Sequence, residues 1–199
     1  MTKMVKRLLG GGLLSLAVLS GSANADDFEF NTKSLVALEI GHSNTEIELQ
    51  DANPLTPLNK DYHKSLAGFK IGAEGEHYRV FLSARKYFLG GDFDRLHTYG
   101  GEIEYLFDFS KSFNVFIGLN VGKLSAKFKA DNEDFNREFH DFYFGSDIGV
   151  NYHLEETIDI ELGARYLSSK ASDKTGGVKY QFDNLTAGYA SIIYKFEIN

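Results

Sequence analysis

Past residue 25 the chain alternates apolar and polar side chains with a period of two, the signature of extended strands that show two different faces. The pattern recurs eight times, near residues 34–41, 66–74, 78–88, 98–108, 113–122, 138–151, 157–167 and 186–198. In the first four stretches one face reads Val36, Leu38, Ile40; then Phe69, Ile71; then Tyr78, Val80, Leu82; then Tyr99, Ile103, Tyr105, Phe107. It continues as Val115, Ile117, Leu119, Val121; as Phe142, Phe144, Ile148, Val150; as Ile158, Ile160, Leu162; and as Ile192, Tyr194, Phe196. The opposite face is charged or glycyl. In the last stretch the adjacent Ile192 and Ile193 leave the register open. No window of this region carries a capped stripe of helical period, so the expected class is all-β.

Short connections alternate with long ones. Residues 75–77, 109–112 and 152–156 join neighbouring strands tightly, whereas 42–65, 89–97, 123–137 and 168–184 form long loops on the other side, the first being the longest. Pro54 and Pro57 both fall in that first loop, where no ladder hydrogen bond is lost. Eight antiparallel strands so connected make an up-and-down barrel, and the question is which face points inward.

A soluble, lipocalin-like periplasmic carrier would hold the apolar face inside. Two features favour the reverse. Gly68, Gly72, Gly118, Gly122, Gly145, Gly149 and Gly163 lie on the polar face, where a solvated strand gains nothing from them. Inside a narrow barrel they leave room for long charged neighbours. Aromatic residues also collect at the strand ends: Tyr78, Phe107, Phe109, Phe113, Tyr152, Tyr194 and Phe196 at the short-turn end, Phe88, Tyr99 and Tyr166 at the other. Two such girdles bound the apolar band of a membrane barrel. The strands have the roughly 9–11 residues that a tilted crossing needs, and closure leaves no unpaired edge in hydrocarbon. The expected fold is an eight-stranded antiparallel transmembrane β-barrel.

Composition sharpens this reading. Residues 1–25 have a basic start (Lys3, Lys6, Arg7), an apolar run from Leu8 to Leu19 and a small-residue cleavage site at Ala23-Asn24-Ala25, the pattern of a secretory signal peptide. Residues 26–199 are then the barrel. Cleavage removes three bases and no acid, so the formal charge moves from −7 to −10. An acidic chain is a poor nucleic-acid binder, and the absence of Cys excludes disulfides, cysteine-ligated zinc and thiol nucleophiles. The mean hydropathy of −0.26 averages an oily outside with a charged inside.

Signal peptide, eight alternating strands, short turns opposite long loops, and Tyr194 and Phe196 near the C-terminus together resemble the small eight-stranded outer-membrane barrels of the OmpA and OmpX type. The resemblance covers residues 33–198. It implies residence in the outer membrane, turns toward the periplasm, loops toward the outside, and insertion by the barrel assembly machinery. Tyr194 and Phe196 would supply the C-terminal insertion signal, although Glu197-Ile198-Asn199 follows them.

An eight-stranded barrel has an interior only wide enough for side chains, so the inward charges must pair. The acids Glu39, Glu74, Glu102, Glu104, Asp108, Asp141, Asp147, Asp159 and Glu161 face the bases Lys70, Arg79, Arg85, Arg165 and Lys195. Arg79 and Arg85 are expected to pair with Glu102 and Glu104 on the next strand. A packed ionic lumen is the main reading, and a small cation-preferring channel gated by partner exchange is the alternative. Among lipid-facing residues Lys86 is the basic one at the long-loop end, and Lys123, Lys127 and Lys129 follow near headgroup level. All four are candidates for lipopolysaccharide phosphates.

Lipid A chemistry of the deacylase kind would need His and Ser close together on the lipid face. The nearest pair, His140 and Ser146, is six residues and about 20 Å apart, so no catalytic residue is assigned. The six histidines, with His42, His63 and His97 placed at external loops and His77 and His153 at turns, show no metal-ligand spacing. No cofactor is implied. Ile47, Leu49, Leu55, Leu58 and Tyr62 give the first loop apolar content suited to packing over the mouth or to an extracellular ligand. A monomer is expected.

Overall fold

The computed structural model describes residues 33–50, 58–88, 93–128, 137–170, 172–175 and 178–197. Its strands are β1 (Lys33–Gln50), β2 (Leu58–Glu74), β3 (Tyr78–Phe88), β4 (Phe93–Asp108), β5 (Phe113–Phe128), β6 (Arg137–Glu155), β7 (Ile158–Ser169), β8 (Ser172–Thr175) and β9 (Val178–Phe196). Each pairs antiparallel with the next through β7, and β7 pairs with β9. The ring closes through β1 and β9, in register from Ser34↔Phe196 to Gln50↔Lys179 with one bulge at Glu46/Ile47. Eight strands form the barrel. Among the described residues the short β8 pairs only with the start of β9, from Ser172↔Gln181 to Thr175↔Val178.

Burial decides the orientation of the faces. Leu38, Ile40 and Phe142 are about two-thirds exposed, whereas Lys70, Arg79, Glu104 and Glu161 are wholly buried. A soluble carrier has the opposite arrangement, so that alternative is overturned. The last strand takes the register that puts Ile193 inside and Ile192 out.

The interior is layered. Toward the long-connection end, Leu66, Tyr87, Leu96, Leu124, Tyr143 and Leu185 belong to an apolar plug. Two smaller apolar groups, Leu35, Ala37, Phe81 and Ile193, and Leu106, Phe116 and Tyr189, flank the charged middle. Glycine makes space for these rings. A Cβ on Gly149 would lie 2.6 Å from the Phe116 ring and 2.4 Å from Leu162 O; one on Gly163 would lie 2.5 Å from the Tyr189 ring. The inward glycines thus seat aromatic rings as much as the charged side chains for which the sequence reading reserved them. Gly68, beside Arg85 and Glu39, and Gly118, beside Glu104 and Asp147, do adjoin charges.

The connections at the long-loop end are shorter than the pattern predicts. Residues 42–50 and 58–65 are strand rather than loop, as are 93–97, 123–128 and 178–184. The apolar alternation stops where the lipid-facing side chains give way to polar ones, but a backbone ladder needs no apolar face to continue. His42, His63 and His97 therefore sit on strands rather than in loops, and β8 is an addition to the predicted elements. The leader, both prolines and Lys129 lie outside the described residues, as do the side chains of Ile47, Leu49, Leu55, Leu58 and Tyr62.

Gly149→Ala is expected to destabilise the barrel by about 1–3 kcal/mol, the cost of overpacking a filled interior. Gly188→Ala, whose Cβ would have nothing within 4 Å, is expected to stay within roughly 0.5 kcal/mol of the parent. Urea unfolding in detergent or liposomes distinguishes the two.

Candidate functional site

Ladder register places the charges before any side chain is considered. Arg79 on β3 stands directly opposite Glu104 on β4, and its Nε donates to Glu104 Oε2 at 2.8 Å. The same guanidinium reaches over the lumen: Nη2 donates to Glu161 Oε2 at 2.7 Å and Nη1 to Asn151 Oδ1 at 3.2 Å. In the ring of eight, β3 and β7 lie four places apart, so the Arg79–Glu161 pair joins opposite walls.

Glu39 on β1 is gripped from both sides. Arg85 donates to it through Nε at 2.8 Å and Nη2 at 3.1 Å, and Arg165 through Nη1 at 2.8 Å and Nη2 at 3.2 Å. Arg165 also gives Nε to Asp147 Oδ1 at 2.9 Å, and both arginines flank Glu102. Lys70 Nζ donates to Glu161 Oε1 at 2.8 Å and lies 3.9 Å from Glu39. Rings cover the cations: Lys70 Nζ is 4.6 Å from the Phe81 centroid, Arg165 Cζ 4.4 Å from Tyr189 and Arg79 Cζ 5.3 Å from Phe116. Such faces attract cations most where water is excluded.

A second tier runs from Arg79 toward the short-turn end. Asn151 Nδ2 donates to Asn114 Oδ1 at 2.8 Å, and Asn114 Nδ2 meets His153 Nε2 at 3.3 Å. His153 Nδ1 faces Asp159 Oδ1 at 2.8 Å. Lys195 Nζ then bridges Asp159 Oδ2 at 2.8 Å and Glu74 Oε1 at 2.7 Å.

The structure thus brings together Glu39, Lys70, Arg79, Arg85, Glu102, Glu104, Asp147 and Glu161 with Arg165 in the middle, and Asp159 with Lys195 below. Arg85 reaches Glu102 although Phe81 is the residue opposite it. Asp141 stays apart. It lies at the long-connection end, partly exposed, accepts the Phe142 N–H at 2.7 Å and forms no ion pair among the described residues. Asp108 is likewise outside the network, half exposed and 4.0 Å from His77.

The sequence reading missed His153, assigned to a turn, and the inward Asn114, Asn151, Phe81, Phe116 and Tyr189. Strand parity is the signal that could have found them: each lies an even number of positions from a buried charge on its own strand, or from an inward glycine.

Outside, Lys86 stands opposite His97, Lys123 opposite both Tyr99 and Phe142, and Lys127 opposite both Arg95 and Glu138. Lys86 and Lys123 are exposed and lie 5.5 Å from the Phe88 and Phe142 ring centroids. These lysines form one patch on β3 to β5 at the edge of the apolar band. His140 and Ser146 both face outward with Phe142 and Phe144 between them, and His42 is three strands from Ser146, roughly 14 Å at the usual strand spacing. Tyr194 and Phe196 stack at 6.0 Å at the end of β9.

Over residues 12–191 the sequence matches the family described as outer membrane protein beta-barrel domain. The fold is similar to that of Neisserial surface protein A (TM-score 0.58, 15% identity, covering 80% of this chain and 99% of that one). It is also similar to outer membrane protein OprG from Pseudomonas aeruginosa (0.57, 14%, 86% and 100%). The N-terminal beta-barrel domain of Pseudomonas aeruginosa OprF is a third such structure (0.54, 11%, 82% and 97%). At these identities the likeness is one of fold. No curated protein matches the sequence.

Removing one partner of a buried ion pair costs about 3–5 kcal/mol. Arg165→Met is therefore expected to lose that much, because it strips Glu39 and Asp147 of their shared donor. Lys195→Met, whose partners sit nearer the mouth, should lose less. Denaturant unfolding of the two variants against the parent tests the ranking.

Proposed function

The chain belongs to the outer membrane protein beta-barrel domain family and resides in the outer membrane; from that premise we propose a non-catalytic barrel whose ionic lumen is structural and whose outward lysines engage lipopolysaccharide. The observation that carries the lumen reading is the Arg79–Glu161 pair, 2.7 Å across opposite walls. A side chain spanning the diameter occupies the path that a permeating solute would take, and Arg85 and Arg165 meeting on Glu39 occupy it again. The separation of His140 from Ser146, with Phe142 and Phe144 between them, counts against deacylase chemistry on the lipid face.

At the rim, three ammonium groups on one side of the barrel, two of them beside aromatic rings, suit phosphates fixed at headgroup level. A stem buried along the apolar face with its charge at the interface also costs little. Long-connection ends facing outward, insertion by the barrel assembly machinery through Tyr194 and Phe196, and a monomeric state belong to the same reading. Any extracellular ligand would meet the connections at that end.

Two measurements test it. Recorded singly in planar bilayers, the protein is expected to show no discrete conductance steps; reproducible cation-selective steps would favour the channel reading instead. Charge reversal at Lys86, Lys123 and Lys127 is expected to sensitise cells to detergent, whereas reversal at Lys111, in a short turn at the opposite end, is not. Equal sensitivity of both strains would remove the lipopolysaccharide role.

A further inference from the structure

The hydrogen bonds of the second tier all run one way. Arg79 Nη1 can only donate, so the Asn151 atom that meets it at 3.2 Å is the carbonyl oxygen. That leaves Asn151 Nδ2 to donate to Asn114 Oδ1 at 2.8 Å, and it turns Asn114 Nδ2 toward His153 Nε2, 3.3 Å away. A side-chain amide nitrogen donates and never accepts, so Nε2 presents its lone pair. A neutral imidazole then carries its proton on Nδ1, where Asp159 Oδ1 lies at 2.8 Å to accept it. A guanidinium at one end and a carboxylate at the other thus fix both amides and the tautomer of the ring.

Neither amide can turn without loss. Asn114 and Asn151 are 3% and 0% exposed, and half a turn of either would set donor against donor and acceptor against acceptor. His153 differs, because its side chain is 24% exposed and open to protons from the mouth. The chain ties β3, β5, β6 and β7 together, and Lys195 carries it on to β9 and to Glu74 on β2.

We propose that His153 is an acid-released latch at the short-turn end: neutral, it closes the chain from Arg79 to Asp159, and protonated, it breaks the chain at Asn114. Histidine is the side chain whose charge ordinarily changes between about pH 5 and 8. A second proton goes on Nε2, which then points an N–H at the Asn114 amide nitrogen. Asn114 cannot answer by turning, because its Oδ1 holds Asn151 and Arg79 holds Asn151 in turn. The ring gains little in exchange, since Asp159, the charge that faces it from β7, is already met by Lys195 of β9 at 2.8 Å. The remaining charged or titratable groups around the ring are exposed. They are Glu155 on its own strand, Asp108 opposite Asn114 on β4 with His77 4.0 Å beyond it, and Lys111 in the turn whose Ser112 carbonyl accepts the His153 backbone N–H. The protonated ring swings toward the mouth and leaves the buried Asn114 Nδ2 without its partner, which loosens that end of the barrel.

The test reads nitrogen-15 resonances of the refolded full barrel in detergent, with histidine and asparagine labelled. Near pH 8, His153 is expected to carry its proton on Nδ1 alone; a proton on Nε2 there overturns the proposal. Near pH 5, both ring nitrogens are expected to be protonated, the Asn114 and Asn151 side-chain resonances to shift, and hydrogen-exchange protection at residues 109–114 and 152–156 to fall several-fold. A doubly protonated ring beside unmoved amides overturns it, as does a ring still neutral near pH 5. His153→Gln keeps an oxygen acceptor for Asn114 and an N–H donor for Asp159 but takes no second proton, so its Asn114 and Asn151 resonances are expected to match at the two pH values. An equal acid response in that variant would assign the change to another group, such as Asp108 or Glu155, and also overturn the latch. The wild-type readings decide the matter even if the variant fails to fold.

Discussion

Hydrocarbon offers a backbone amide nothing to bond with, and the architecture follows from that fact. A sheet that crosses a bilayer must pair its first strand with its last, which β1 and β9 do from Ser34↔Phe196 outward. With the ring closed at eight strands, each residue is committed to lipid or to an interior too narrow for a column of water. The inverted polarity is therefore forced. Apolar side chains such as Leu38 and Phe142 face the solvent of the membrane, while Lys70 and Arg79 are sealed inside.

An interior of that width must be filled, and this barrel fills it in two ways. Where rings point inward, a glycine on a neighbouring strand receives them, as Gly149 receives Phe116 and Gly163 receives Tyr189. Where charges point inward, they pair across the lumen and not only along the wall. Arg79 ties β3 to β7, while Arg85 and Arg165 converge on Glu39 of β1. The rings and the charges also support one another, because Phe81, Phe116 and Tyr189 lie against the cations of the middle tier. Gly118 is the point where the two arrangements meet least comfortably: by withdrawing a side chain it lets Glu104 and Asp147 approach.

Much of this was legible in the chain. The period-two alternation located all eight barrel strands, and the glycines on the polar face identified that face as the inner one. Arg79 opposite Glu104 could be proposed because the short turn at residues 75–77 and the parity of neighbouring strands constrain their register. Other features were not legible. The outer halves of β1 and β2 were read as loop because residues such as His42, Asn44, His63 and Lys64 break the apolar pattern, yet backbone pairing continues through them. Asp141 has the parity of a lumen residue but stands too near the open end to join the network, and parity alone carries no information about depth.

The sequence by itself determined the class, the orientation of the faces and the inventory of inward charges, because each depends only on side-chain alternation, and alternation is written into the order of residues. Which charge meets which was decided by the tertiary structure. Closure with its particular stagger brings β3 opposite β7 and draws Glu102, Glu104 and Asp147 together around the arginines. Chords across a ring have no local signal in the chain, since they depend on the sum of eight registers, and that sum exists only once β1 meets β9.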